Sequence, residues 1–308
     1  MIQADNLTKY YGSRAAIKNV SFKVHNGEIL GFLGPNGAGK TTTMRVLTAY
    51  IPPSDGTVTV GGFDVFTDSL EVRRRIGYLP ESVPLYNDMT VRDYLDYVAA
   101  LRRIDQRAKR IIDAVEKVNL GDELDTLIGK LSKGMRQRVG IAQAVIHDPE
   151  VLILDEPTIG LDPKQIIEVR ELIRALGGDH TIILSTHILS EVEHICNRVL
   201  IMNQGQIVAE DSPAGLAARL EGGERIILRT LQATPEAGDQ LQSLPFVKKV
   251  VTIDLNTFEI ECVSGSDCRA EVAQMAVEQG WGILELNSAS VSLEDIFLEL
   301  TAEQAVVV

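Results

Sequence analysis

The chain has 308 residues, more than one domain of ordinary size needs, and 45% of them are hydrophobic, which excludes wholesale disorder. The formal net charge is −13. Residues 220–308 hold 15 Asp/Glu against 5 Lys/Arg, so the first 219 residues carry only −3. That balance argues against general nucleic-acid binding, which needs a positive footprint to displace phosphate counterions.

The N-terminal segment MIQADNLTK is interrupted by Asp5 and Lys9 and has no signal-peptide core. Apolar runs such as 151–154 have the length of buried strands and fall far short of a bilayer. If the protein works at a membrane, another chain is expected to supply the span. The three cysteines, Cys196, Cys262 and Cys268, are sparse and odd in number. They predict reduced, packed thiols rather than a disulfide framework or a metal site.

In chain order, 29–33 is a short apolar strand that runs into a glycine-rich loop, and 42–49 follows as a helix. Residues 58–60, 199–202 and 206–208 are expected as antiparallel strands around turns at 61–62 and 203–205. The stretch 91–146 has a helical pattern with few turn signals. Residues 151–154 and 181–185 are β-branched runs suited to central parallel strands. A break near 211–223 separates two predicted domains, 1–219 and 220–308. Beyond it, strands at 225–230, 249–254, 257–263 and 282–286 and helices at 235–244 and 269–279 give the order βαββαβ, that of a ferredoxin-like fold. A last helix is predicted over 293–301 behind the cap Ser292, with Asp295 in a capping-box-like place.

Four constellations carry chemistry. The first is Gly34-Pro35-Asn36-Gly37-Ala38-Gly39-Lys40-Thr41, followed by Thr42, the phosphate-loop pattern in its strand–helix setting. Glycines let successive backbone N–H groups turn inward around an anion, and the new helix adds its positive end. Lys40 brings a full charge to the β- and γ-oxygens of a triphosphate, and Thr41 offers a hydroxyl to Mg²⁺. The second is Asp155-Glu156 at the end of an apolar strand, where open α/β sheets place their ligands. Asp155 suits the metal shell, and Glu156 suits orientation and activation of an attacking water. The third is Leu131-Ser132-Lys133-Gly134-Met135, in which Ser132 caps a helix and forms a second anion site with the Gly134 backbone. The fourth is His187, again just beyond an apolar strand.

In this order and at this spacing the four resemble the ATP-binding subunit of ABC transporters over roughly the first 215 residues. Closer still, IGYLPESVPLY at 76–86 and SLEDIFLELT at 292–301 are similar to ABC-2 type exporter ATPases of the gliding-motility and multidrug branches. The resemblance implies a P-loop NTPase fold of the ABC ATPase kind: a parallel-sheet core, an antiparallel β subdomain and a helical subdomain, followed here by the small α+β domain. It implies ATP and Mg²⁺ as ligands, Tyr11 as the ring against adenine, and Ile159-Gly160-Leu161-Asp162 as a loop facing a partner subunit. It further implies a homodimer in which each ATP meets one copy's phosphate loop and the other's Ser132 helix. A membrane permease would dock near 81–97, placing the protein on the cytoplasmic face of the membrane through that permease alone. Two positions depart from the pattern: Glu81 stands where the family often has glutamine, and Lys133 and Met135 replace glycine and glutamine of the signature. Glu81 could face the metal or the water. A soluble ABC-type ATPase acting on nucleic acid or ribosomes is the alternative. One phosphate loop, no heptad tract and the acidic balance weigh against it. For 220–308 a dimerisation or regulatory role is expected.

Overall fold

A computed structural model describes residues 1–220, 225–263 and 268–289. It divides into two compact units, Met1–Pro213 and Ala214–Val308. The helix predicted at 293–301 lies outside the described residues. No helix among those described is long and apolar enough to cross a membrane.

The first unit opens with β1 (Ile2–Tyr11) and β2 (Arg14–Val24), an antiparallel pair, then β3 (Ile29–Leu33) and α1 (Lys40–Leu47). After these come β4 (Asp55–Val60), β5 (Phe63–Asp64), α2 (Ser69–Arg75), β6 (Ile76–Leu79), α3 (Val91–Leu101), α4 (Arg107–Lys117) and α5 (Lys133–Val145). The unit continues through β7 (Val151–Asp155), α6 (Pro163–Leu176), β8 (Thr181–Thr186), α7 (Leu189–Ile195), β9 (Arg198–Asn203) and β10 (Gln206–Asp211). Helix α8 (Pro213–Leu220) follows.

Two sheets result. One is four-stranded, in the order β2-β1-β4-β5, and the other six-stranded, in the order β10-β9-β3-β8-β7-β6. Every residue of β3, β7 and β8 is buried, as their unbroken apolar runs require of strands covered on both faces. Each Val, Leu or Ile so buried contributes about 1.5–3 kcal/mol. Phe22 of β2 meets Phe32 of β3 edge-to-face at 5.1 Å, joining the two sheets through one apolar core. The strand at 198–203 departs from the antiparallel expectation on one side. It pairs parallel to β3 and antiparallel only to β10, because the chain reaches it through α7 and a helical crossover returns a strand in parallel.

Side-chain caps set the starts of three helices. Thr90 accepts from Asp93 N ahead of α3, Ser132 from Met135 N ahead of α5, and Asp162 from Gln165 N ahead of α6. The α5 helix lies tightly on β6. A Cβ added at Gly77 would come 2.0 Å from the Ala144 carbonyl oxygen and 2.7 Å from Leu152 Cδ2.

The second unit contains β11 (Arg225–Thr230), α9 (Ala237–Gln242), β12 (Val247–Asp254), β13 (Thr257–Cys262), α10 (Arg269–Glu278) and β14 (Ile283–Ala289). All pairings in its sheet are antiparallel, in the order β12-β13-β11-β14, which is the ferredoxin-like arrangement. Its core centres on Phe258 stacked on Trp281 at 6.4 Å, with Ile226, Leu228, Leu241 and Val272 around them. Here the cysteine expectation fails: Cys262 and Cys268 form a disulfide, and only Cys196 is a free, buried thiol among the described residues. The two stand six positions apart and do not read as a close pair in the sequence. However, the last residue of β13 and the N-cap of α10 come back together, to a Cα separation of 5.9 Å.

The close contact of α5 with β6 yields a test. Gly77→Ala is expected to lower unfolding stability by about 1–3 kcal/mol, the usual cost of overpacking, as read by urea denaturation. A neutral result would show that α5 shifts freely on the sheet.

Candidate functional site

Parallel register decides which motifs meet. Leu33 of β3 is level with Thr186 of β8, Asp155 of β7 with Ser185 of β8, and Leu79 of β6 with Leu154 of β7. The segments leaving the C-terminal ends of these strands therefore emerge side by side: the loop from Gly34, the Glu81 segment, Asp155-Glu156 and His187. That edge is where open α/β sheets hold ligands.

The glycine loop turns into α1 through Gly39, whose φ of 106° is open to glycine and strained for other residues. A Cβ at Gly39 would also approach the Ala16 carbonyl oxygen to 2.7 Å. The helix begins at Lys40 rather than Thr42, so Lys40 and Thr41 stand in its first turn, with no side chain capping it. Its free N–H groups and dipole favour an anion there. The Lys40 ammonium is 5% exposed and donates to the Gly34 carbonyl at 2.7 Å and the Pro35 carbonyl at 3.3 Å. It also lies 3.5 Å from Glu156 Oε1.

Glu156 is held with φ 49°, a rare conformation for a side chain of its size, and its N–H donates to the Ser185 carbonyl at 3.0 Å. Its other carboxylate oxygen is 2.8 Å from His187 Nδ1. Glu156 thus sits between a lysine and a histidine at the mouth of the loop. Burial raises its carboxyl above the ordinary glutamate range, while Lys40 and His187 pull it back.

Asp155 is fully buried. Its Oδ1 accepts from Thr41 Oγ1 at 3.3 Å and from the Ser185 hydroxyl, while Oδ2 has no hydrogen-bond partner. Burial raises its carboxyl, the two hydroxyls and Lys40 oppose that shift, and Glu81 adds to it.

A cavity of about 900 Å³ opens over this edge. Tyr11, the loop from Pro35 to Thr42, Glu81 and Glu156 line it. Gly34, Asp155 and His187 are not among its lining residues, although His187 contacts Glu156 and Asp155 contacts Thr41, which are. The turn Asn203-Gln204-Gly205 and the segment Arg14-Ala15-Ala16 also line it, and the sequence reading missed both as site residues. The 203–205 turn was visible only as a turn. Its place at the site follows from β9 lying beside β3, and Gly205 N donates to the Ala38 carbonyl at 3.0 Å.

Ser132 and Gly134 are not part of this cavity. They line a separate one of about 320 Å³ with Asn119, Asp162 and Gln165. Within one copy, the two predicted anion sites do not meet.

Comparison with known proteins agrees with this geometry. The ABC transporter family model matches residues 17–159. The bacitracin transport ATP-binding protein BcrA of Bacillus licheniformis is 36% identical, over 97% of this chain and 97% of that protein. The linearmycin resistance ATP-binding protein LnrL of Bacillus subtilis is 32% identical, over 98% of each. Among solved structures, the dimeric structure of MJ0796, a bacterial ABC transporter cassette, superposes with a TM-score of 0.63 at 25% identity, covering 69% of this chain and 98% of that one. Both relatives extend across the second unit as well as the first. With a glycine loop, a buried Asp-Glu pair and a histidine gathered on one edge of a six-stranded sheet, the chain belongs to the ATP-binding subunits of ABC transporters.

Proposed function

We propose that this protein hydrolyses ATP as the motor subunit of a membrane exporter, working as a pair of copies that close on two ATPs and reopen after hydrolysis. The observation that carries this reading is the position of Glu156, 3.5 Å from Lys40 and 2.8 Å from His187 beside the phosphate loop. Lys40 neutralises the β- and γ-phosphate oxygens, and the N–H groups of 37–42 cradle them. Glu156 accepts a proton from the attacking water, and His187 fixes the Glu156 carboxylate and faces the γ-phosphate. Tyr11, about half exposed at the cavity rim, offers its ring to adenine.

The separate place of Ser132 and Gly134 supports the paired reading. Ser132 is exposed there, Gly134 lies buried against Gln165, and no residue of the phosphate loop lines their cavity, so on this reading a second copy brings them to an ATP. ATP then bridges two surfaces, and its hydrolysis removes the bridge. The relatives' names, bacitracin transport for one and linearmycin resistance for another, support a role in export, and the permease that completes this reading would dock near 81–97. The protein would sit on the cytoplasmic face through that permease. The 220–308 segment is proposed as an accessory domain for dimer contact or regulation.

The residues present fit Mg²⁺. Asp155 has a buried oxygen without a partner, Thr41 is beside it, and Glu81 lines the same cavity. Among the described residues no group of three or more His, Cys, Asp or Glu could hold a metal. Mg²⁺ takes one or two protein ligands and leaves the rest to phosphates and water. Thr41 and Asp155 would hold it, with Glu81 near, and it would supply positive charge to the phosphate oxygens.

Glu156→Gln is expected to keep ATP binding and lower turnover by about 100-fold or more, whereas Lys40→Ala weakens ATP binding about 10- to 100-fold. Steady-state ATPase assays and nucleotide titration read these, and unchanged turnover in the first variant refutes the base assignment. Asp155 gives a pH test. Folding raises its pKa, so the native state holds its proton more tightly than the unfolded one. Stability is lost as pH rises from the ordinary aspartate value of about 3.9 through the raised one. Asp155→Asn is therefore expected to raise the melting temperature of the nucleotide-free, metal-free protein at pH 7, with the gain shrinking toward pH 4. A gain independent of pH contradicts this.

A further inference from the structure

Glu191 is a buried carboxylate that the roles above leave unused. It stands in the first turn of α7 and is 0% exposed. Both of its oxygens accept from hydroxyls. Thr158 Oγ1 donates to Oε1, and Thr186 Oγ1 donates to Oε2 at 2.7 Å. These donors come from two different loops. Thr158 lies two residues beyond Glu156, in the turn that closes with Ile159 N to the Glu156 carbonyl at 3.2 Å and Leu161 N to the Thr158 carbonyl at 3.1 Å. Thr186 immediately precedes His187, and its Oγ1 also accepts from Ile188 N at 3.0 Å, so one hydroxyl fixes the residues on both sides of the histidine. Both threonines are buried, at 2% and 0% exposure.

A packing role alone does not account for a carboxylate here. Removing a carboxylate from water is expensive, and an apolar side chain would fill the space at lower cost. An ionised carboxylate offers two acceptor oxygens and no donor, which is what two converging hydroxyl donors require. A glutamine offers one acceptor and an NH₂, leaving one hydroxyl proton without an acceptor.

We propose that Glu191 is a positioning residue for ATP hydrolysis: through Thr158 and Thr186 it clamps the Glu156 loop to the His187 loop and maintains the 2.8 Å contact between them. The inference rests on the reading of Glu156 and His187 as hydrolytic groups. It adds that their spacing is set from α7. Glu156 needs such support because its own backbone, at φ 49°, is strained and persists only where surrounding structure holds it.

The test is Glu191→Gln in the full-length protein, read by ATPase kinetics and by amide hydrogen exchange. The expected result is a fall in kcat of about 10- to 100-fold with an unchanged KM for ATP, the signature of misplacement without loss of binding. Amides at 157–161 and 186–189 should exchange faster while those of β3 and α1 do not. If Glu191→Gln does not fold, Thr186→Ser and Thr186→Val carry the same test. Serine keeps the hydroxyl and should retain rate and protection, while valine should lose both. Unchanged exchange at the two loops, or faster exchange with an unchanged kcat, overturns the clamp. Hydrogen exchange needs no turnover, so a failure of the clamp is distinct from a failure of the Glu156 assignment, which only the Glu156→Gln rate can refute.

Discussion

The site depends on one electrostatic constraint: Lys40 and the carboxylates of Asp155 and Glu156 are all buried at one edge of the sheet. Each would be costly to bury alone. Lys40 lowers the cost of both acids, yet burial still raises both, so added positive charge would be favourable there. A nucleotide brings negative charge to Lys40 and the helix N-terminus. A divalent cation would bring positive charge to Asp155. The site is thus built around what it must receive, and its empty state is less favourable than its filled one.

The frame that holds these charges comes from the parallel sheet. Registers between β3, β8, β7 and β6 bring four loops to one edge, and full burial of the three inner strands leaves little room for them to slide. A one-residue slip would move Asp155 away from Ser185 and its side chain to the other face of the sheet. The loops carry the chemistry and the strands set the distances. The hydroxyl–carboxylate contacts from α7 add a cross-brace between two of those loops. The Ser132 helix packs on β6, at the edge of that sheet, and on α3 and α4.

What could be read from the sequence was local. The glycine loop, Asp155-Glu156 after its apolar strand and the cap at Ser132 are strings whose meaning lies within a few residues. Strand 225–230 and the turn at 255–256 were legible for the same reason, since alternation and turn chemistry act over short distances. Contacts made by folding were not legible. The 203–205 turn and Arg14 reach the cavity only because β9 and β2 lie where they do. The pairing of Cys262 with Cys268 depends on where the chain returns after β13. Thr158, Thr186 and Glu191 read singly as ordinary polar residues, and only the neighbouring placement of β7, β8 and α7 makes them one cluster.

The account's central claim is that one copy holds half of each ATP site. Sedimentation velocity on Glu156→Gln, with and without ATP and Mg²⁺, tests it most directly. The account predicts a single copy without nucleotide and a pair with it, and no pair when Ser132→Glu is added to place a negative charge against the phosphates. A mass that does not respond to ATP, or a pair that survives Ser132→Glu, would contradict it.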